Sequence, residues 1–181
     1  AGLALDAQLP EDAAPPAEDG SPPDAAPPEA SLRGFVHKGP AAHVRVRAYT
    51  LDGAVLAGTV TDAAGAFRLQ LALPDAPIRL EAAAVDDPAA TPSAFEDEVR
   101  GATPWRAGRT LEALVPQPVE GMAPLVISPL SHLALAAADH DAAAGAALAE
   151  AYPTRLAEVG ALLGLEALPA ALPHLRPAPF D

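Results

Sequence analysis

A division near Ser31 constrains this chain more than any other feature. The first thirty residues hold seven prolines and seven acidic side chains, with no basic one. Such a stretch carries too little apolar surface to offset the entropy of ordering it, so residues 1–31 read as an acidic, Pro-rich tether. From Leu32 onward the pattern changes to short alternating strands separated by turn signals, and near Ser128 it changes again to helical spacing. A tether followed by a compact module is the layout of an exported protein held near something larger.

Charge and composition narrow the functions available. Removing the tether leaves about 150 residues, enough for one domain with a real core. The net charge is −13, which repels phosphate backbones, so nucleic acid and anionic membrane surfaces are poor partners. Hydrophobic residues make up 50% of the chain, but most are alanine, which buries little area each. With no cysteine, disulfides, thiol catalysis, iron–sulfur clusters and covalent haem are excluded. No stretch reaches the roughly 18 apolar residues of a spanning helix. The chain opens at Ala1 rather than methionine, which fits removal of an export signal and is compatible with a lipid anchor upstream of Ala1. Periplasm, outer-membrane surface or extracellular space is the expected location.

The strand region, 32–127, is expected to form a small antiparallel β-sandwich. Ser31 to His37 reads as the first strand. Over His43 to Thr50, Val44, Val46 and Ala48 point one way and Arg45, Arg47 and Tyr49 the other. Asp52-Gly53 signals a hairpin turn, followed by a short strand at Thr59–Thr61, a turn over Asp62 to Gly65, and a strand from Ala66 to Leu71. Ile78 to Val85, Leu111 to Val115 and Leu125 to Ile127 complete the set. Asp86 to Arg109 reads as a long polar loop, which in a compact module is usually functional or disordered.

Residues 128–167 are expected to form a helical hairpin. Ser128 caps the first helix with Pro129 at its first position, and Leu130, Leu133, Ala134 and Ala137 form its apolar stripe. Asp141 is expected to cap a second helix that Pro153 interrupts, before a segment with Leu156, Val159, Leu162 and Leu163 on one face. Gly164 is a C-terminal stop. Residues 168–181 read as an extended Pro-rich tail.

The run Gly58 to Phe67 resembles the strand–turn–strand signature of carboxypeptidase-regulatory-like (transthyretin-like) sandwich modules, with Thr61, Asp62, Gly65 and Phe67 filling a Thr-Asp-x-x-Gly-x-Phe core. Ala94 to Gly101, Leu111 to Pro116 and Ile127 to Ala134 are similar to a layout of bacterial envelope lipoproteins and surface proteins, where a sandwich precedes a Pro-Leu-Thr-x-Leu-Ala helix pair. This chain has Ser131 where threonine is usual. The resemblance implies an Ig/transthyretin-like, mainly β fold and a binding or scaffolding role rather than a shared reaction.

Few residues invite chemistry. The acidic loop offers oxygen ligands for calcium in Asp86, Asp87, Glu96, Asp97 and Glu98, of which Asp86, Asp87, Asp97 and Glu98 are the candidates, but the Asp-x-Asp-x-Asp-Gly spacing is missing. His132 and the Asp139-His140-Asp141 triplet match no zinc pattern, and a capping loop explains them as well. Ser93, Ser128 and Ser131 lack a nucleophile elbow, and no glycine-rich phosphate loop or other cofactor motif occurs. Trp105, with Arg106 and Arg109 beside it, is either an exposed anchor for a protein or sugar partner or a plug at the end of the sandwich. Leu3 and Leu5, on one parity with Leu9, could add as a strand to a partner's sheet. The expected function is a non-catalytic accessory or scaffolding subunit of an envelope or extracellular protein assembly, meeting its partner through the tails and the 86–109 loop. The alternatives are a free-standing carbohydrate- or calcium-binding adhesion module and, third, a metal-dependent enzyme.

Overall fold

A computed structural model describes residues 30–87 and 89–165. The tether, with Leu3 and Leu5, and the C-terminal tail lie outside the described residues. The strands are β1 (Ala30–Val36), β2 (Ala41–Ala42), β3 (Arg45–Thr50), β4 (Val55–Val60), β5 (Ala66–Leu71), β6 (Ile78–Ala83), β7 (Ala94–Asp97), β8 (Gly101–Pro104), β9 (Thr110–Val115) and β10 (Leu125–Ile127); α1 (Pro129–Ala143) and α2 (Leu148–Leu162) follow. They form three sheets, ordered β10-β1-β5, β2-β7-β8 and β4-β3-β6-β9.

Alternation places the core. Leu32 and Val36 of β1, Val46 and Ala48 of β3, Leu69 of β5, Ile78 and Leu80 of β6, Val115 of β9 and Ile127 of β10 are all fully buried and belong to one cluster. The inward faces of the first and third sheets therefore share a single core, to which each buried Leu or Ile contributes about 1.5–3 kcal/mol. Gly34 is needed on β1 because a Cβ there would stand 2.3 Å from the Leu125 carbonyl oxygen and 2.7 Å from Phe67. That contact comes from a departure from the expected all-antiparallel arrangement. β1 pairs with β10 in parallel, Gly34 opposite Leu125 and Val36 opposite Ile127.

The Thr61–Phe67 run earns its residues locally. The buried Thr61 hydroxyl donates to the Ala41 carbonyl at 2.6 Å and accepts from the Val44 amide at 2.9 Å. Asp62 Oδ1 accepts from the amides of Ala64 and Ala66, closing the turn. Gly65 sits at φ +78°, with Val36 O and Ala41 N less than 3 Å from where a Cβ would be. Phe67 then enters the core.

Two further expectations about the strands need correction. The 86–109 segment is not a loop, since Ala94–Asp97 and Gly101–Pro104 pair as a hairpin. Short strands interleaved with prolines and charges hid the alternation. The strand expected at Thr59–Thr61 begins earlier, at Val55, and forms an exposed sheet edge with Val55 and Val60 open to solvent.

In the helical pair the first helix runs to Ala143, so Asp141 lies in its last turn rather than capping the next. The second continues through Pro153. Pro153 forfeits one N–H donor on an exposed side, and the packing of Tyr152, Leu156 and Val159 on the other outweighs that loss. The buried face of α1 is Ser131, Ala134, Leu135 and Ala138, while Leu133 is 56% exposed. The expected stripe is rotated because Ser131 is drawn inward. Its hydroxyl donates to the Ser128 and Glu112 carbonyls and accepts from the Ser128 amide, while the Ser128 hydroxyl accepts from the Ser131 amide. This capping box fastens α1 to β9. On α2, Leu156 and Val159 are buried but Leu162 and Leu163 are exposed. Gly164, at φ +68°, ends the helix with its amide on Ala161 O and the Leu165 amide on Gly160 O, a Schellman stop.

The helices cover the outer face of the third sheet through Leu114, which packs with Ala134, Leu135, Ala138, Tyr152, Leu156 and Val159. Burial pushes the Tyr152 hydroxyl up to about 12, although it interacts with the Leu114 backbone. At the rim, Arg79 of β6 makes a two-pronged pair with Asp139 of α1 at 3.1 and 2.7 Å. Arg155 of α2 grips Asp141 the same way at 2.6 and 2.7 Å.

Candidate functional site: a cationic groove beside the β7–β8 hairpin

The β7–β8 arm is fixed at its base. β2 pairs with β7, Ala41 opposite Phe95, and the Glu96 amide donates to the Pro40 carbonyl at 3.0 Å. Gly39 permits this approach, because a Cβ at that position would overlap the Glu96 carbonyl. Ser93 sews the arm to the third sheet: its hydroxyl donates to the His43 carbonyl at 2.6 Å and accepts from the Val85 amide at 2.9 Å, and its own carbonyl accepts from the Trp105 amide. His43 has φ +56°, a left-handed conformation at the start of β3. At the tip, Asp97 Oδ1 accepts from the Val99 and Arg100 amides. Those two N–H groups hold its carboxyl below the usual range, with Arg100 and Lys38 adding to the effect.

Trp105, the one tryptophan of the chain, is the hinge-pin of the segment. It is only 8% exposed and belongs to the core cluster, so of its two sequence readings the plug describes its placement. Its indole N–H donates to the Arg109 carbonyl at 2.8 Å, closing the Arg106–Arg109 turn in which Gly108 is at φ +72°. Phe95 meets it edge-on, with ring centroids 6.3 Å apart, and the Lys38 ammonium lies 4.5 Å from the Phe95 centroid.

These residues line a groove of about 520 Å³, floored by Phe95, Trp105 and Leu111. Around it stand Lys38, Arg100, Arg106 and Arg109, against a single carboxylate, Asp97. Arg106 and Arg109, singled out from sequence, are thus brought together on one rim. Lys38, Phe95, Arg100 and His132 share the groove without having been singled out for it. The one hint was the aromatic pair Phe95 and Trp105 on either side of the Asp97–Gly101 turn. His132 of α1 closes the far wall; its Nδ1 is buried without a hydrogen bond and lies 3.6 Å from Glu112 Oε2.

The calcium candidates are not brought together. Asp86 pairs with Arg45 at 2.5 Å, and that contact holds its carboxyl below the usual range. Asp87 accepts from the Ala89 amide, Asp97 is spent on the hairpin turn, and Glu98 is exposed beyond it. Among the described residues no group of three or more His, Asp or Glu side chains is placed to hold a metal ion. His140 sits in the last turn of α1 with its carbonyl accepting from the Ala144 amide. No described helix is long and apolar enough to cross a membrane. Among known proteins, no family model, no curated protein and no solved structure matches this chain.

Proposed function

We propose that the chain is a non-catalytic accessory or scaffolding subunit of an exported, envelope or extracellular protein assembly, built on an Ig/transthyretin-like sandwich of the carboxypeptidase-regulatory-like type. It meets its partner through the 86–109 segment and its tails. The observation that carries the reading is the construction of that segment. A stretch expected to be a long polar loop is tied down at Ser93, Asp97 and Trp105, yet it keeps Val99, Arg100, Arg106 and Arg109 exposed. A rigid arm with an exposed apolar and cationic tip loses little entropy on docking, which is what an interaction element needs.

The test is cross-linking mass spectrometry on the native, detergent-solubilised envelope fraction. Lys38 is the sole lysine, so linkers that react with carboxylates are used. Reproducible links from Glu96 or Glu98 to one other protein are expected. Links confined to the chain itself would overturn the assembly reading.

A further inference from the structure

We infer that the groove between the β7–β8 hairpin and α1 takes a carboxylate-rich, extended peptide segment of the partner. The inference rests on the accessory-subunit reading and names the chemistry of its contact. The chain carries 24 acidic side chains against 11 Lys and Arg, yet four of those 11 converge here, facing one carboxylate. Among the described residues none of the four has a carboxylate within ion-pair distance, and neither have Arg33, Arg47 and Arg68. What sets the four apart is that they share one groove, with Asp97 acting on Lys38 and Arg100 from further off. In a molecule of this charge, four cations gathered around one carboxylate that already serves its own hairpin turn mark a surface suited to an acidic ligand.

Three of the four are arginines, whose planar forks hold carboxylates two-pronged. The apolar floor of Phe95, Trp105 and Leu111 excludes water beneath those pairs. An extended peptide also suits the wall it would lie along. β8 is the outermost strand of its sheet among the described residues and borders the groove through Thr103 and Pro104. These give the peptide a wall to lie along and not an edge to pair with, because Pro104 has no N–H and Thr103 faces Phe95 of β7.

The experiment uses the full chain and a blocked decapeptide of alternating Asp and Glu. Binding is followed by calorimetry and by the fluorescence of Trp105. A saturable, salt-sensitive complex that shifts the Trp105 emission is expected, and an R100Q/R106Q/R109Q variant with unchanged melting temperature should bind about tenfold or more weakly, as losing several charge-assisted pairs implies. No binding at low ionic strength, or equal binding by the variant, would overturn the inference. So would malonate producing the whole shift at the same carboxylate concentration, since the groove would then take small carboxylates. Envelope cross-links from other faces, with no peptide binding, would leave the accessory-subunit reading intact and remove only this contact.

Discussion

Replacing Thr61 with valine isolates the hydroxyl that fastens β2, and with it the β7–β8 arm, to the start of β3. Valine keeps the shape of threonine, so no cavity opens. What changes is that the Val44 amide loses its acceptor and the Ala41 carbonyl its donor, both in residues with no exposure. An unsatisfied buried amide costs about 1–3 kcal/mol, and a carbonyl tolerates under-satisfaction somewhat better. The pair together gives a loss of roughly 2–4 kcal/mol, or a melting temperature lower by roughly 5–15 °C for a domain of about 150 residues. Thr61→Ser keeps the hydroxyl and drops one methyl, which costs about 1 kcal/mol. Thermal and urea denaturation of the three proteins, with hydrogen exchange at the Val44 amide, separates the two effects. If the valine variant proves as stable as the serine variant, the side chain holds its place by volume. The argument from hydrogen bonding would then fail.

Other positions give equally definite expectations. Gly65→Ala puts a Cβ within 3 Å of Val36 O and Ala41 N at φ +78°; a loss of about 2 kcal/mol or more is expected in urea melts. His43, at φ +56°, should accept asparagine with little change, whereas His43→Val should cost about 1–2 kcal/mol, because β-branched residues resist the left-handed region. The Arg155 guanidinium holds the Asp141 carboxyl below its ordinary 3.8. A lowered folded-state value means the contribution is present above about pH 4 and is lost as pH falls through it. Asp141→Asn should therefore flatten the acid limb of stability against pH below about 4 and leave the neutral region almost parallel to wild type.

How much of this was legible depended on whether a residue's partner was near it in sequence. The Asp62–Gly65 turn, the Ser128-Pro129 helix start and the Gly164 stop are satisfied within a few positions, and their residue types announce them. The buried sides of β3, β5 and β6 followed from strict alternation over six residues each. The β7–β8 hairpin did not show, because each strand has four residues and it is tied down through Ser93, whose partner His43 lies 50 positions away. Helical spacing alone put Leu133 in the core and left Ser131 outside it. The carbonyl of Glu112, on another element, decides the opposite. The groove was half visible: Arg106 and Arg109 were neighbours in the sequence, but Lys38 and His132 arrive from the turn after β1 and from α1, by topology alone.

The parallel pairing of β1 with β10 also sets a clock on biosynthesis. β1 leaves the ribosome ahead of its partners, and β5 can cover one of its edges soon after. Its other edge has to wait for Leu125–Ile127. At about 5–20 residues per second that wait lasts roughly 5–20 s, during which an unpaired strand carrying Leu32 and Val36 is open to the wrong neighbour. A chain stalled or cut before Leu125 keeps that edge permanently and should aggregate rather than persist as a smaller folded fragment. A holding chaperone during synthesis, or passage out of the cell before folding, would cover the same interval.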